Sequence, residues 1–237
     1  MHIKAKFFLL VATIFLLSAC DYISPMVDLR KGSYFYGKGE YEKAIPYYEA
    51  AIAGLSKVDL DLYKGLEYET RHSYVLLLTD HARNGNPEYI PVARENTKLI
   101  LDYLKHNNAA ISTVGMTLLS LAYTYHQEAA YTEVEEHYYQ LLETAYGTYL
   151  QAVEHLKAEQ DWYNLTYAYY NLGETAEWYG DIDQAVEWLE LTVELDKKYG
   201  FDEDLQEDQR YLTHLRQIQQ EIHEEAAQVA SDDVAVE

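Results

Sequence analysis

From residue 25 onward, apolar side chains recur every three to four positions, in stretches of about 15 to 28 residues with almost no alternation at period two. That spacing predicts amphipathic helices and no sheet. The breaks between stretches are short. They are Gly37-Lys38-Gly39, Ser56-Lys57-Val58-Asp59, Asn84-Gly85-Asn86-Pro87, His106-Asn107-Asn108, Gln127 to Ala130, Gln160-Asp161, Tyr179-Gly180-Asp181 and Tyr199-Gly200-Phe201-Asp202. Glycine supplies positive φ there, and Asp and Asn supply helix N-caps. Nine helices are predicted: four antiparallel pairs and a C-terminal one.

The pairs repeat. The clearest unit runs from Tyr169 to Leu189 and carries Leu172-Gly173, Ala176, Gly180, Ile182, Ala185 and Leu189. The small residues at 173 and 185 would let two helices approach closely, Gly180 suits the tight turn, and the large residues fill the space between pairs. This unit resembles a tetratricopeptide repeat (TPR), whose seventh, eighth, eleventh, fifteenth, seventeenth, twentieth and twenty-fourth positions those residues occupy. Gly32, Phe35, Gly39, Tyr41, Ala44, Tyr48 and Ala51 match the same register, as do Leu121-Ala122, Tyr125, Ala129, Tyr131, Val134, Tyr138 and Leu141. A degenerate unit centres on Gly85, with Leu77-Leu78 and His81 before it and Ala93 after. The turns fall 44 to 51 residues apart, against 34 in a standard repeat, so the helices are long. Five shorter units, with a further turn at Gly147, are the rival count. Pro46 lies about one turn into the second helix, where a kink is expected.

The first twenty residues differ from the rest. Lys4 and Lys6 precede an apolar run from Phe7 to Leu17, closed by Leu17-Ser18-Ala19-Cys20. The run is short for a membrane span and ends in small residues, as a signal peptide does. The closing four residues resemble a bacterial lipobox, which implies acylation of Cys20 and its exposure as the first mature residue. Asp21 after it resembles a signal for retention in the inner membrane. An uncleaved anchor with a chance cysteine is the alternative.

Composition narrows the function. The 237 residues hold 18 Lys and Arg against 40 Asp and Glu, for a formal charge of −22. Such a chain lacks the clustered cations that nucleic-acid binding needs, and its charge argues against an electrostatic grip on anionic lipid headgroups. Removal of residues 1–19 takes Lys4 and Lys6 and no acid, so the mature body is more acidic still and its membrane attachment falls to acyl chains. Cys20 is the single cysteine, so no internal disulfide forms. The 25 tyrosines are unusual and suit broad packing surfaces with polar tips.

Motifs for chemistry are few. There is no phosphate-cradling glycine loop, no G-x-S-x-G and no H-E-x-x-H. His126, Glu133 and His137 form the best metal candidate, with a solvated acidic helix carrying ordinary histidines as the competing reading. Asn164-Leu165-Thr166 is a formal glycosylation sequon inside a predicted helix. The TPR resemblance instead points to a concave groove lined by the first helix of each pair. Carried over by position, it offers Met116, Leu119, Tyr123 and His126 from one repeat, and Tyr167, Tyr170, Glu174, Glu177 and Trp178 from the next. Among these, Tyr123, His126, Tyr170, Glu174, Glu177 and Trp178 are the partner-binding candidates. Tyr170 stands where some relatives place a carboxylate-clamping Lys, and only Asn171 matches that clamp.

The expectation is therefore an all-α chain, a superhelix of antiparallel helix pairs with a C-terminal capping helix. Residues 1–19 are read as signal peptide, 20–25 as lipidated linker, 26–200 as about four extended repeats, 201–227 as the cap and 228–237 as an acidic disordered tail. The resemblance implies a non-enzymatic scaffold without cofactor, anchored by lipid and facing the periplasm or exterior, that binds protein partners of a cell-envelope complex. A peptide or small-ligand receptor using an aromatic groove and a metal-dependent hydrolase are the alternatives.

Overall fold

The computed structural model describes residues 23–58, 61–107 and 114–234. The stretch expected as signal peptide, with Cys20 and Asp21, lies outside the described residues. Among those described there are nine α-helices and no strand. They are α1 (23–36), α2 (Tyr41–Leu55), α3 (Asp61–Arg83), α4 (Ile90–Asn107), α5 (Val114–Ala129), α6 (Glu135–Glu159), α7 (Trp162–Tyr179), α8 (Ile182–Tyr199) and α9 (Asp202–Val234). A 3-10 turn, Pro87–Tyr89, precedes α4. The chain forms two compact units, Met1–Ser112 and Thr113–Glu237. The sequence alone suggests one unbroken array, because periodicity marks each helix without saying where one core closes and the next begins.

In the first unit, α1 and α2 meet where Gly32 lies under the Tyr48 ring, too close for a side chain at 32. Tyr48 stacks on Tyr74 of α3 at 6.0 Å. Pro46 sits within α2, which continues past it to Leu55. Arg71 of α3 binds Glu67 through Nε and Nη2, at 2.9 and 2.7 Å, and donates Nη1 to Asn96 Oδ1 of α4 at 2.7 Å. Several tyrosines bury their rings and send the hydroxyl to a carboxylate on another helix. Tyr36 donates to Asp80 at 2.7 Å and Tyr74 to Glu49 at 2.9 Å. Hydrogen bonds to a charged acceptor contribute about 1.5–3 kcal/mol, so a chain rich in both Tyr and acids can tie helices together without bases.

The second unit pairs α5 with α6 and α7 with α8, and α9 packs on α8. Asp161 caps α7 by accepting from the Asn164 backbone N–H at 3.2 Å, and Asp181 caps α8 by accepting from that of Gln184 at 3.1 Å. Gly180 ends α7 at φ 91°, as its turn position requires. Gly173 faces Leu189 and the Ala185 carbonyl, and a Cβ there would collide with Leu189. Ala176, Ala185, Val186, Leu189 and Val193 form the α7–α8 core, which Leu212 and Leu215 of α9 extend.

Three expectations need adjustment. Helix α6 runs unbroken through Gly147, without the turn that a five-unit count places there. Helix α4 includes His106 and Asn107, and the break after α5 falls at Ala130–Val134 instead of beginning at Gln127. Helix α9 extends to Val234, beyond Ala227, since no Gly or Pro interrupts it and its tail residues tolerate helix. Its apolar stripe is buried at Leu212 and Leu215 but is 46% exposed at Ile222.

Candidate functional site

The second unit carries a polar cluster inside its core that opens onto an acidic, aromatic face. The cluster starts from His126, the last-turn histidine of α5, which is fully buried. Its Nδ1 lies 3.5 Å from the hydroxyl of Tyr149 on α6, and that hydroxyl donates to Asn171 Oδ1 of α7 at 3.3 Å. Asn171 in turn donates to the Tyr167 carbonyl at 2.7 Å. Among the described residues, His126 Nε2 has no hydrogen-bond partner. Burial holds the imidazole down to about 4, so the 3.9 Å separation from Glu174 Oε2 is no ion pair at neutral pH. Burial likewise pushes the Tyr149 phenol well up, assisted by the charge of Glu174.

Glu174 links this interior to the surface, being partly exposed one helical turn from Tyr170. Tyr170 packs against Tyr211 of α9 with ring centres 5.5 Å apart. Tyr211 donates its hydroxyl to Glu177 of α7. Burial first, then the charges of Glu174, Asp208, Glu207 and Glu177, pushes Tyr170 up to about 12. These four charges are all acidic. Burial also raises Tyr211, together with its bond to Glu177.

Behind this face, Asp196 of α8 and Asp208 of α9 are both buried. Among the described residues, no N–H and no alcohol or phenol hydroxyl donates to either Asp196 carboxylate oxygen. Burial and the facing Asp196 carboxyl push Asp208 up to about 8. The two carboxyls hold one proton between them at neutral pH.

The structure thus brings Tyr170, Glu174 and Glu177 together on one partly exposed face. Tyr123 of α5 is partly buried and close enough to act electrostatically on Tyr149. His126 departs from its expected place: it is enclosed by Trp178 and Tyr149 and presents no atom to a groove. Trp178 also points inward, packing on Ala129, Leu141 and Leu142 and meeting the His126 ring edge to face at 4.3 Å. Both are held inward by α6, whose Tyr149 meets the His126 ring and whose Leu141 and Leu142 pack against Trp178. Glu133 and His137 are exposed while His126 is buried, so the proposed metal triad does not assemble. Among the described residues no group of three His, Cys, Asp or Glu could hold a metal. Asn164 of the sequon joins the α7 cap, donating Nδ2 to Asp161 at 2.7 Å.

Sequence reasoning did not single out Tyr149, Tyr211 or Asp208 for this site. For Tyr211 and Asp208 a signal existed. Both lie on the buried side of α9 with Leu212 and Leu215, where a tyrosine and an acid interrupt an otherwise apolar stripe.

No protein-family model matches the sequence, and no curated protein does. Among solved structures the chain is similar to BtubC (BKLC) from P. vanneervenii, at 14% identity over 93% of each chain with a TM-score of 0.52. It is also similar to a Podosopora anserina protein described as kinesin light chain nearly identical TPR-like repeats. There the identity is 15%, coverage is 83% of this chain and 95% of that one, and the TM-score is 0.52. At these identities the likeness is one of fold: the chain has the TPR-like helical-repeat architecture, a kind that commonly mediates protein–protein interaction.

Proposed function

We propose that this protein is a lipid-anchored adaptor of the bacterial cell envelope that binds a protein partner and catalyses no reaction. The observation that carries the binding role is the face built by Tyr170, Glu174 and Glu177 of α7 with Tyr211 of α9, aromatic at its centre and acidic around it. Packed aromatic anchors of this kind supply binding energy, and an all-acidic surround selects basic segments. The partner engages it through a segment with Lys or Arg beside apolar residues. The anchoring role rests on the ordered Lys4/Lys6, Phe7–Leu17 and Leu17-Ser18-Ala19-Cys20 sequence, with Cys20 as the acylated residue and Asp21 favouring the inner membrane.

Photocrosslinking in the native envelope tests the binding role. A photoreactive residue at Tyr170 should capture a discrete protein partner, and adding Glu174→Lys should reduce that adduct several-fold. Adducts from the exposed Tyr131 and Tyr139 with none from 170 would relocate the interface. A labelled fatty acid should enter the wild-type chain and not the Cys20→Ser variant.

A further inference from the structure

We infer that the outward face of α1 lies on the surface of the bilayer that holds the anchor, and that it fixes how the first unit stands on the membrane. This rests on the reading of Cys20 as acylated.

Helix α1 has two sharply different sides. Pro25 fits against Gly54 of α2, Gly32 lies under Tyr48, and Tyr36 donates to Asp80 of α3. These contacts fix the rotation of the helix. The opposite side carries Ile23, Met26, Val27 and Tyr34, which are 59%, 43%, 44% and 57% exposed. Offsets of three, four and eleven residues place all four on one face of a helix, and Arg30 falls among them. Lys31 and Lys38 flank it. Lys38 Nζ stands 4.5 Å over the Tyr34 ring, and Lys31 Nζ stands 5.3 Å from the centre of Tyr47 on α2.

An apolar stripe bordered by tyrosine and bases is the composition of an interfacial helix, and two observations commit it to the bilayer. The first is reach. Only residues 21 and 22 separate Cys20 from Ile23, so three Cα steps of ~3.8 Å keep Ile23 within ~11 Å of the acylated residue. An acyl chain in the membrane therefore delivers this face to the headgroups. The second is charge. Residues 23–39 carry Arg30, Lys31 and Lys38 against Asp28 alone, in a chain of formal charge −22. Near an anionic leaflet such a chain is attracted at this end and repelled elsewhere, which turns α1 toward the lipid.

The test uses the mature, purified protein in vesicles of phosphatidylethanolamine and phosphatidylglycerol. With Cys20 acylated, Val27→Cys, Tyr34→Cys and Glu203→Cys each carry one free thiol for a spin label. Vesicles should make the labels at 27 and 34 several-fold less accessible to a water-soluble nickel chelate, and leave the label at 203 unchanged. Arg30→Glu with Lys31→Glu should weaken that protection. Labels at 27 and 34 as accessible as at 203, in a protein whose intact mass shows the acyl groups, would overturn the inference and leave the anchor standing. Equal protection without vesicles would also overturn it, because protein would then cover the face. Protection by vesicles in a chain whose mass lacks acyl groups would keep this face and remove the anchor.

Discussion

The imidazole of His126 meets the indole of Trp178 edge to face, with ring centres 4.3 Å apart, inside the second unit. That enclosure keeps the ring neutral, with its pKa near 4 against about 6.5 in an unfolded chain. Above pH 6.5 neither state binds the proton, and stability is complete. As pH falls toward 4 the unfolded state takes up a proton that the folded state refuses, and about 3 kcal/mol is lost. Urea melts at pH 7 and pH 4.5 should show the wild-type midpoint falling further than that of His126→Gln. Equal declines would refute the enclosure.

Asp208 drives stability the opposite way. Its folded pKa, near 8, is raised above the ordinary carboxyl value of 3.8. The stabilisation from the shared proton is complete below pH 3.8 and drains away as pH rises toward 8. Asp208→Asn supplies a donor to Asp196 at every pH. Thermal melts between pH 5 and pH 9 should lower the wild-type midpoint more than that of Asp208→Asn, and the variant should be the more stable at pH 9.

Ala185 is fully buried on α8, and its carbonyl lies against Gly173. Ala185→Leu adds three carbons to a contact that already excludes a Cβ across the interface. It should destabilise the second unit by about 1–3 kcal/mol through overpacking. Chemical denaturation measures this directly, and an unchanged midpoint would mean that α7 and α8 do not touch there.

Helix α6 ends on Gln160 at φ 57°, the one non-glycine residue with positive φ among those described. An L side chain in the left-handed region costs about 1–2 kcal/mol relative to glycine. Gln160→Gly should therefore raise stability by about 1 kcal/mol, since the glycine accepts the conformation that α7 and α8 already finish with at Gly180 and Gly200. A lower melting midpoint in the variant would show that Gln160 contributes through its side chain.

Much of this architecture is written locally. Asp161, Gly180, Asp181 and Gly200 set helix ends by chemistry that needs no distant partner, and the Gly173 and Ala185 spacing announces a close helix pair before any coordinates exist. The site was only half legible. A repeat register places Tyr170, Glu174 and Glu177 on one helix face, which a wheel can show. It says nothing of Tyr211, which reaches Glu177 from thirty-four residues away. Nor does it show that Trp178 and His126 turn into the core, because their direction is settled by α6 packing beside them. The partition into two units was also invisible to periodicity, since both sides of residue 112 have the same helical period, although residues 1–112 carry 13 bases and 13 acids against 5 and 27 in residues 113–237.

The fit of Gly173 under Leu189 bears on how this sequence can change over generations. Neither position is free to drift alone. A methyl gained at 173 is harmful while leucine stays at 189, and is eased only after 189 has lost volume, with the Ala185 carbonyl still 3.3 Å from it. Lineages should therefore carry a small residue at 173 with a large one at 189, or smaller side chains shared between the two. Overall identity can fall far while such pairs persist. A search for this chain's kin would gain more by scoring the coupled choice at 173 and 189 than by counting matches along the helices.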